Sequence, residues 1–264
     1  MKPDYKNWMP KGMVFGFFAG AVITFVLALV FGGAPFLSAG AVKLVLMIIF
    51  CISAVVFCCL TIWAVMLYRA FDYNGKRQMA KQIIEGTAAY VNLPDGGKIL
   101  DVGCGSGAPA IAAAKRNPKA EVTGIDRWGK EYASFSQTLC ENNAKAEGVS
   151  NIRFQKGDAT KLEFPDETFD AVISNYVYHN IPVKDRQAVL LETLRTLKKG
   201  GVFAIHDIFS SAKYGDMDAF VKKLKDMGYP EIEMIDTTDG LFMKKSEAVR
   251  MTLSGSALFV GIKG

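Results

Sequence analysis

Two long stretches without a charged residue dominate the N-terminal part of the chain. They cover residues 12–42 and 44–68. Each exceeds the roughly 20 apolar residues that a helix needs to cross a bilayer. The segment Gly32-Gly33-Ala34-Pro35 between them is typical of a tight connection. We therefore predict two transmembrane helices, at about 13–32 and 42–68, that form a hairpin.

Two other interpretations of this segment are open. The first stretch could be a signal peptide, with a basic start at Lys2, Lys6 and Lys11 and a cleavage site at Ala39-Gly40-Ala41. Its apolar core is long for a signal peptide, and a second apolar stretch follows at once. The two helices could also be buried in a soluble protein, but such helices normally have a polar face. We therefore favour the transmembrane hairpin.

Basic residues flank the hairpin on both sides. They are Lys2, Lys6 and Lys11 before it, and Arg69, Lys76, Arg77 and Lys81 after it. Positively charged residues are retained on the cytoplasmic side of a membrane. We therefore predict that both ends of the hairpin, and the domain that follows it, are cytoplasmic.

Three glycines recur every four residues on one face of the first helix: Gly12, Gly16 and Gly20. Small residues at this spacing allow two helices to approach closely in lipid. The simpler use of this face is packing of the first helix on the second, and a homodimer is the alternative.

The rest of the chain has the mixed composition of a globular domain. The formal net charge is +5, without long runs of Lys and Arg, so we expect no nucleic-acid partner. The five cysteines form no CxxC pair and no Cys/His cluster at zinc spacing. We therefore predict neither a disulfide framework nor a metal site, and expect a reducing compartment.

Strand-like and helix-like segments alternate after residue 79. The predicted strands are Lys98–Val102, Glu121–Asp126, Ile152–Gly157, Phe169–Asn175 and Gly201–Asp207, and the predicted helices are Met79–Val91, Pro109–Arg116, Tyr132–Gly148 and Val183–Leu197. Such alternation predicts an α/β fold with a mostly parallel sheet that carries helices on both faces.

A glycine-rich turn follows the first predicted strand. The segment from Gly103 to Ala108 satisfies the G-x-G-x-x-A fingerprint of a dinucleotide site, in which backbone N–H groups approach a ligand at a helix N-terminus. Asp101 places a carboxylate two residues before the first glycine. An anionic pyrophosphate would gain nothing from that carboxylate, whereas a cationic ligand would be attracted by it. A nicotinamide oxidoreductase is therefore disfavoured.

The segment Ile99–Gly107 resembles motif I of the class I S-adenosylmethionine-dependent methyltransferases. Further motifs of this family follow in order: Gly124-Ile125-Asp126, Gly157-Asp158-Ala159, Phe164–Val172 and Leu197–Gly201, the last with Lys199 where proline is usual. The resemblance covers residues 79–264. It implies a doubly wound, seven-stranded sheet whose last two strands are Glu231–Asp236 and Ala257–Lys263, the last of them antiparallel. It also implies S-adenosylmethionine as the cofactor.

The resemblance also implies a set of cofactor-binding residues. Asp126 stands where the family has an acid for the ribose hydroxyls, and Asp158 where an Asp accepts from the adenine amino group. The full predicted set is Tyr73, Asp101, Gly103, Cys104, Gly105, Gly107, Asp126, Arg127, Trp128, Asp158, Ala159 and Asn175. Tyr73 lies in a region that often covers the cofactor in this fold, and could instead only anchor the linker. We divide the chain into a tail (1–11), a hairpin (12–69), a linker with a cofactor-covering helix (70–97) and a methyltransferase core (98–264).

Residues just after strands four and five are candidates for chemistry, because ligands bind beyond the carboxyl ends of parallel strands. His179 is the candidate general base, since an imidazole titrates near neutral pH. Tyr178, His206 and Asp207 are candidate substrate contacts. The strand-four rim lacks the Asn/Asp-Pro-Pro-Tyr/Phe motif of many enzymes that methylate amino groups on bases or amides.

The hairpin indicates the acceptor class. A domain held close to a bilayer has access to molecules dissolved there, so we expect a lipophilic small-molecule acceptor such as a quinone precursor or a lipid. A membrane-protein acceptor is an alternative. A non-catalytic, cofactor-binding scaffold subunit is another.

Overall fold

The computed structural model describes residues 2–33, 40–129 and 134–264, which form two compact units. One unit is Asn7–Ala80. The other is Lys81–Gly264 together with the N-terminal residues up to Lys6. The chain therefore begins in the second unit, leaves it to build the first, and then returns.

The first unit is a hairpin of two apolar helices, α1 (Lys11–Gly33) and α2 (Ala41–Phe71). Both are long and apolar enough to cross a membrane, and only 11% and 6% of the residues in their most apolar segments are buried. Side chains such as Phe15 and Ile52 are 68% and 60% exposed. The two predicted long helices are confirmed. Of the predicted connection at residues 32–35, Gly32 and Gly33 belong to α1, and the other two residues lie outside the described part of the chain.

The two helices of the hairpin pack on each other. Phe31 stacks on Phe50, with ring centroids 5.3 Å apart. A Cβ atom on Gly20 would lie 2.9 Å from the Phe57 ring, so this glycine allows close approach of α2. For Gly12 and Gly16, no atom of the described chain would lie within 4 Å of an added Cβ atom.

The segments that enter and leave the hairpin also contact each other. The Asn7 side-chain amide donates to the carbonyl oxygen of Tyr68 at 2.7 Å. The rings of Trp8 and Phe71 lie 5.4 Å apart. The two ends of the hairpin are therefore in contact with each other.

The second unit is built on a seven-stranded sheet. Its strands are β1 (Gly97–Val102), β2 (Ala120–Asp126), β3 (Ile152–Lys156), β4 (Phe169–Asn175), β5 (Leu197–Ile208), β6 (Glu231–Asp236) and β7 (Ser256–Ile262). Their order across the sheet is β3-β2-β1-β4-β5-β7-β6. The first five strands are parallel, and β7 runs antiparallel to both β5 and β6. The predicted doubly wound sheet with an antiparallel last strand is confirmed.

The strand order reverses between β1 and β4, which are neighbours although two strands separate them in sequence. Ligands of doubly wound folds bind at this switch point, beyond the carboxyl ends of the strands. Asp101, Asp126, Asn175 and Asp207 all lie in the last residues of their strands. The topology therefore places the predicted site residues at one edge of the sheet.

The helices of this unit are α3 (Met79–Ala88), α4 (Ala108–Arg116), α5 (Gln137–Ala146), α6 (Arg186–Arg195), α7 (Ser211–Tyr214), α8 (Met217–Asp226), α9 (Lys245–Arg250) and a 3-10 turn (Tyr178–Asn180). The side chains of Ser136, Asp185 and Asp216 each accept a backbone N–H in the first turn of α5, α6 and α8. Such caps define a helix start. The predicted helix at 183–197 therefore begins later, at Arg186, and the predicted start at Tyr132 lies outside the described residues.

Alanine-rich α4 carries the glycine turn. The helix is buried from Ala108 to Ala114 and begins with Pro109 in its first turn, where a missing N–H costs nothing. Small side chains let it lie close to the sheet, which has Ile99, Leu100 and Val102 fully buried in β1. The N-terminus of α4 is thereby fixed beside the carboxyl end of β1.

Candidate active site

The glycine turn after β1 is fixed by backbone hydrogen bonds to the neighbouring strand. The N–H groups of Gly103 and Cys104 both donate to the carbonyl oxygen of Ile125, at 2.8 and 2.9 Å. Gly103 has φ +76°, and a Cβ atom there would lie 2.4 Å from the Val177 side chain. The positive φ and the close approach of Val177 each exclude a side chain at position 103.

Asp101 is a buried carboxylate without a partner. The residue has no exposed surface, and neither carboxylate oxygen is hydrogen-bonded within the part of the chain that the structure describes. Burial raises the pKa of Asp101 well above its usual range, helped by the charge of nearby Asp126 and opposed in part by the backbone N–H of Ala110. A buried acid without a partner is costly, and a cationic ligand beside it would remove that cost. The site therefore fits a ligand with an amino group and a sulfonium, as in S-adenosylmethionine.

Asp126 at the end of β2 connects the glycine turn to Trp128. One carboxylate oxygen accepts from the N–H of Gly105 at 2.9 Å, and the other accepts from the N–H of Trp128 at 2.7 Å. The indole N–H of Trp128 donates back to the carbonyl oxygen of Gly105 at 3.0 Å. Asp126 and Trp128 therefore lie directly against the turn.

Asp158 follows β3 and is half-exposed. Its Oδ1 accepts from the N–H and the hydroxyl of Thr160 at 2.8 and 2.7 Å, and Oδ2 lies 4.0 Å from Arg127 Nη1. Burial opposes ionisation, but the bonds from Thr160 and the charge of Arg127 lower the pKa of Asp158. The carboxylate is therefore ionised at neutral pH. The neighbouring Ala159 packs against the core.

His206 of β5 holds Asn175 of β4. Burial lowers the pKa of His206 to about 3, so its ring is neutral and has one donor and one acceptor nitrogen. Nδ1 lies 2.9 Å from Asn175 Oδ1, and Nε2 lies 3.0 Å from the hydroxyl of Thr237, which also faces the carbonyl oxygen of Ser256. Both ring nitrogens are thus engaged inside the core.

His179 and Asp207 form a hydrogen-bonded pair. His179 Nδ1 bonds Asp207 Oδ1, and the His179 backbone N–H donates to Asp207 Oδ2 at 3.2 Å. Asp207 is completely buried, whereas 12% of the His179 side chain is exposed. Asp207 also accepts from the Tyr214 hydroxyl at 2.9 Å. An aspartate on Nδ1 leaves Nε2 of the imidazole as the acceptor nitrogen.

Two tyrosines surround this pair. Tyr178 is fully buried, and its hydroxyl bonds Thr193 Oγ1 at 2.8 Å. Tyr176 has φ +55°, packs edge-on against the rings of His179 and His206, and bonds Ser256 Oγ. Burial raises the pKa of both phenols, so they are neutral.

The structure thus brings together most of the residues predicted from the sequence. Asp101, the glycine turn, Asp126 and Trp128 form one cluster, and His179, Asp207, Asn175 and His206 form another. Val177 connects the two clusters, because its side chain packs on Gly103. Tyr73 belongs to the hairpin unit, and its role stays a prediction.

Four residues that support the site were not predicted from the sequence: Asn143, Thr237, Tyr214 and Tyr176. Asn143 donates to the carbonyl oxygen of Ser106 in the glycine turn, 37 positions away in sequence. Thr237 bonds His206 over 31 positions. No local pattern connects residues so far apart. Only Tyr176, next to Asn175, lay in a segment that had already been singled out.

The family profile described as "Methyltransferase domain" matches residues 93–241, which is more than half of the chain. The chain belongs to this methyltransferase family. The predicted enzyme class, an S-adenosylmethionine-dependent methyltransferase, is confirmed at the level of the family, and so is its cofactor.

Curated relatives resemble the methyltransferase domain of this chain. A sterol 24-C-methyltransferase of Gibberella zeae is 34% identical over 128 residues, which are 48% of this chain and 32% of that protein. A ubiquinone/menaquinone biosynthesis C-methyltransferase of Desulfotalea psychrophila is 33% identical over 165 residues, which are 62% of this chain and 60% of that protein. The chain therefore spans less than two thirds of the length of either relative.

Solved structures share the fold of this domain. A geranyl diphosphate methyltransferase in complex with GPP and sinefungin superposes with a TM-score of 0.54 at 16% identity. The match covers 74% of this chain and 82% of that one. At this identity the likeness shows the fold alone.

Proposed function

We propose that this methyltransferase moves the methyl group of S-adenosylmethionine to a lipophilic small molecule, with His179 as the proton acceptor. The observation that carries this proposal is the His179–Asp207 pair, with a partly exposed imidazole held by a buried carboxylate. The pair lies beside the glycine turn, because Val177, two residues before His179, packs on Gly103.

Three carboxylates are suited to hold the cofactor. When bound, S-adenosylmethionine supplies an electrophilic methyl group on a sulfonium cation. We assign Asp101 to its cationic end, Asp126 to the ribose hydroxyls and Asp158 to the adenine amino group. The unpartnered oxygens of Asp101 support the first assignment. The other proposed contacts are Tyr73, Gly103, Cys104, Gly105, Gly107, Arg127, Trp128, Ala159 and Asn175.

His179 is suited to take a proton from the acceptor. Asp207 fixes the proton-bearing Nδ1, so the lone pair at Nε2 is available as a general base. Within the described chain, no residue bonds Nε2. An acceptor that must lose a proton from an O–H or an activated C–H group would transfer that proton to this nitrogen.

Asp207, His206 and Tyr178 act through other residues in this proposal. All three are fully buried, so they have no surface for an acceptor. Asp207 orients the imidazole and is itself held by Tyr214. His206 holds Asn175, and Tyr178 fixes the 3-10 turn that carries His179. We therefore propose them as positioning residues and not as the direct substrate contacts expected from the sequence.

We also propose that α1 and α2 span a membrane with both ends on the cytoplasmic side. Support comes from the length, apolar composition and exposure of the two helices. The contacts of Asn7 and Trp8 with Tyr68 and Phe71 bring the two ends together. Basic residues at both ends favour the cytoplasmic face.

The membrane hairpin and the relatives together favour a lipophilic acceptor. The printed names of the two relatives refer to sterols and to ubiquinone or menaquinone biosynthesis. Molecules of these classes partition into bilayers, where a membrane-bound enzyme meets them at high local concentration. Polyprenyl quinone precursors and sterols are therefore the first acceptors to test.

The test is transfer of a labelled methyl group by the full chain in detergent. Solvent-extracted membrane lipids and the aqueous metabolites of the same cells are offered as separate acceptor pools. We expect label in the lipid pool, lost in Asp126→Ala, which removes the carboxylate on the glycine turn. Label in the aqueous pool alone would contradict the lipophilic acceptor.

The same assay separates the alternatives. Label in membrane polypeptides, and not in lipids, would favour a membrane-protein acceptor. Tight binding of S-adenosylhomocysteine without turnover on any fraction would favour the non-catalytic scaffold subunit. Binding of NAD without S-adenosylhomocysteine would contradict the cofactor itself.

A further inference from the structure

The first residues of the chain contact the methyltransferase domain. We call residues 2–6 the strap. The backbone N–H of Asp4 donates to Asn143 Oδ1 at 2.7 Å, and Asn143 Nδ2 donates to the carbonyl oxygen of Asp4 at 3.0 Å. The side chain of Asn143 in α5 thus bonds both the N–H and the carbonyl oxygen of one strap residue.

Asn143 also holds the glycine turn. The same Nδ2 donates to the carbonyl oxygen of Ser106 at 3.0 Å, and Asn143 is 2% exposed. A primary amide has two N–H donors, and here one serves the strap and the other the turn. A buried amide that loses a partner is penalised, so the two attachments depend on each other.

Tyr5 adds a second attachment of the strap. Its side chain is 6% exposed, and its hydroxyl donates to Glu147 Oε1 at 3.0 Å. Glu147 also forms an ion pair with Lys115 of α4, the helix that begins at the glycine turn. Burial opposes the ionisation of Glu147, but the bonds from Lys115 and Tyr5 lower its pKa, so the carboxylate is charged at neutral pH. The strap thus contacts α5 and its C-terminal end directly, and is connected to α4 through Glu147.

We propose that the strap sets the conformation of the glycine turn through Asn143, so that affinity for the cofactor depends on docking of the strap. Ser106 stands between Gly105, which bonds both Asp126 and Trp128, and Gly107, which begins α4. A shift at Ser106 would displace Gly105 and disturb its hydrogen bonds to Asp126 and Trp128. Only five residues separate Tyr5 from the start of α1 at Lys11.

This coupling is reciprocal. If docking of the strap raises cofactor affinity, bound cofactor must strengthen docking by the same factor. The inference rests on the cofactor site of the proposed function and is independent of the acceptor.

A substitution at position 4 can remove a hydrogen bond between the strap and Asn143 without changing any residue of the cofactor site. Asp4→Pro removes the backbone N–H that donates to Asn143. Asp4→Ala is the matched control, because it loses the same side-chain contacts to Lys6 and keeps the backbone donor. The affinity of the full chain in detergent for S-adenosylhomocysteine is measured by calorimetry. We expect Asp4→Pro to bind about fivefold more weakly than Asp4→Ala, the effect of one buried hydrogen bond.

Hydrogen exchange of the strap amides is the second measurement. In the wild type, S-adenosylhomocysteine should slow exchange at Asp4, and in Asn143→Leu it should not. Equal affinities of Asp4→Pro and Asp4→Ala, with unchanged exchange, would leave the cofactor site intact and overturn the coupling. Absence of binding in every variant, the wild type included, would instead overturn the proposed function and the coupling with it.

Discussion

Single backbone positions decide whether the cofactor turn can form. We expect Gly103→Ala to abolish binding of S-adenosylhomocysteine, because its Cβ atom would lie 2.4 Å from Val177 in a region of φ that alanine avoids. Gly148→Ala is the control: it has φ +70° and no atom of the described chain within 4 Å. The control should lose about 1–2 kcal/mol of stability and keep its affinity. Calorimetry and thermal unfolding of both variants test this, and full affinity in Gly103→Ala would contradict it.

The tautomer of His179 is decided by Asp207. We expect Asp207→Asn to lower turnover about 10²–10⁴-fold with unchanged affinity for S-adenosylhomocysteine, because the amide favours the tautomer in which Nε2 carries the proton. Asp185→Asn is the matched control, since asparagine also caps α6. Turnover on the active lipid fraction is measured under single-turnover conditions. Equal loss of affinity and turnover would indicate a structural role alone.

His206 makes stability depend on pH. Its pKa of about 3 in the fold lies below the ordinary value of 6.5, so the unfolded chain binds a proton that the folded chain rejects. Its contribution to stability is complete above about pH 6.5 and is lost as the pH falls from there towards 3, by at most about 1.4 kcal/mol per unit. We expect His206→Gln to unfold with a weaker pH dependence than the wild type between pH 7 and 5. His179→Gln, which replaces the only other histidine, is the control.

Part of the site could be predicted from the sequence because its residues are neighbours in the chain. Asp101 and Gly103 are two positions apart, and each acid at a strand end follows its own strand pattern. Asn143, Thr237 and Tyr214 could not be predicted, since each acts on a residue that only the tertiary fold brings near. Burial of His206 was equally hidden, because a histidine at a strand end has the same pattern whether it faces solvent or the core.

At the scale of elements, the type of each helix and strand was predicted better than its ends. The helix predicted at 183–197 is shorter, Arg186–Arg195, because the Asp185 side chain caps its first turn. The fifth strand is longer than predicted, Leu197–Ile208, since Leu197 pairs with Phe169 before a register shift. Caps and bulges depend on single side chains and bonds that hydrophobic periodicity does not record.

Two positions on the glycine face of α1 can be distinguished by mutation. We expect Gly20→Val to loosen the packing of α1 on α2, because its Cβ atom would meet the Phe57 ring at 2.9 Å, and to lower the unfolding temperature of the hairpin. Gly16→Val has space for its side chain and should leave this packing unchanged. Cross-linking in membranes tests the predicted homodimer: its loss in Gly16→Val would support self-association through this face. A monomeric wild type would exclude it.

At the scale of the whole molecule, the hairpin should determine where the protein resides. We expect the full chain to remain in the membrane after alkaline carbonate extraction, because two helices of this length bury far more apolar surface than a peripheral contact does. Residues after Lys81 should be digested by protease added to inside-out vesicles and protected in right-side-out vesicles. Release by carbonate would contradict the transmembrane hairpin, and the opposite protection pattern would reverse its orientation.

The strap has a consequence for the order of events during synthesis. The ribosome completes residues 2–6 and both helices of the hairpin before Asn143 exists. The strap therefore has no docking partner while the hairpin leaves the exit tunnel. Only when α5 emerges can the strap bind Asn143 and the glycine turn be fixed. With the transmembrane hairpin proposed above, a nascent chain would enter the membrane before it could bind a cofactor.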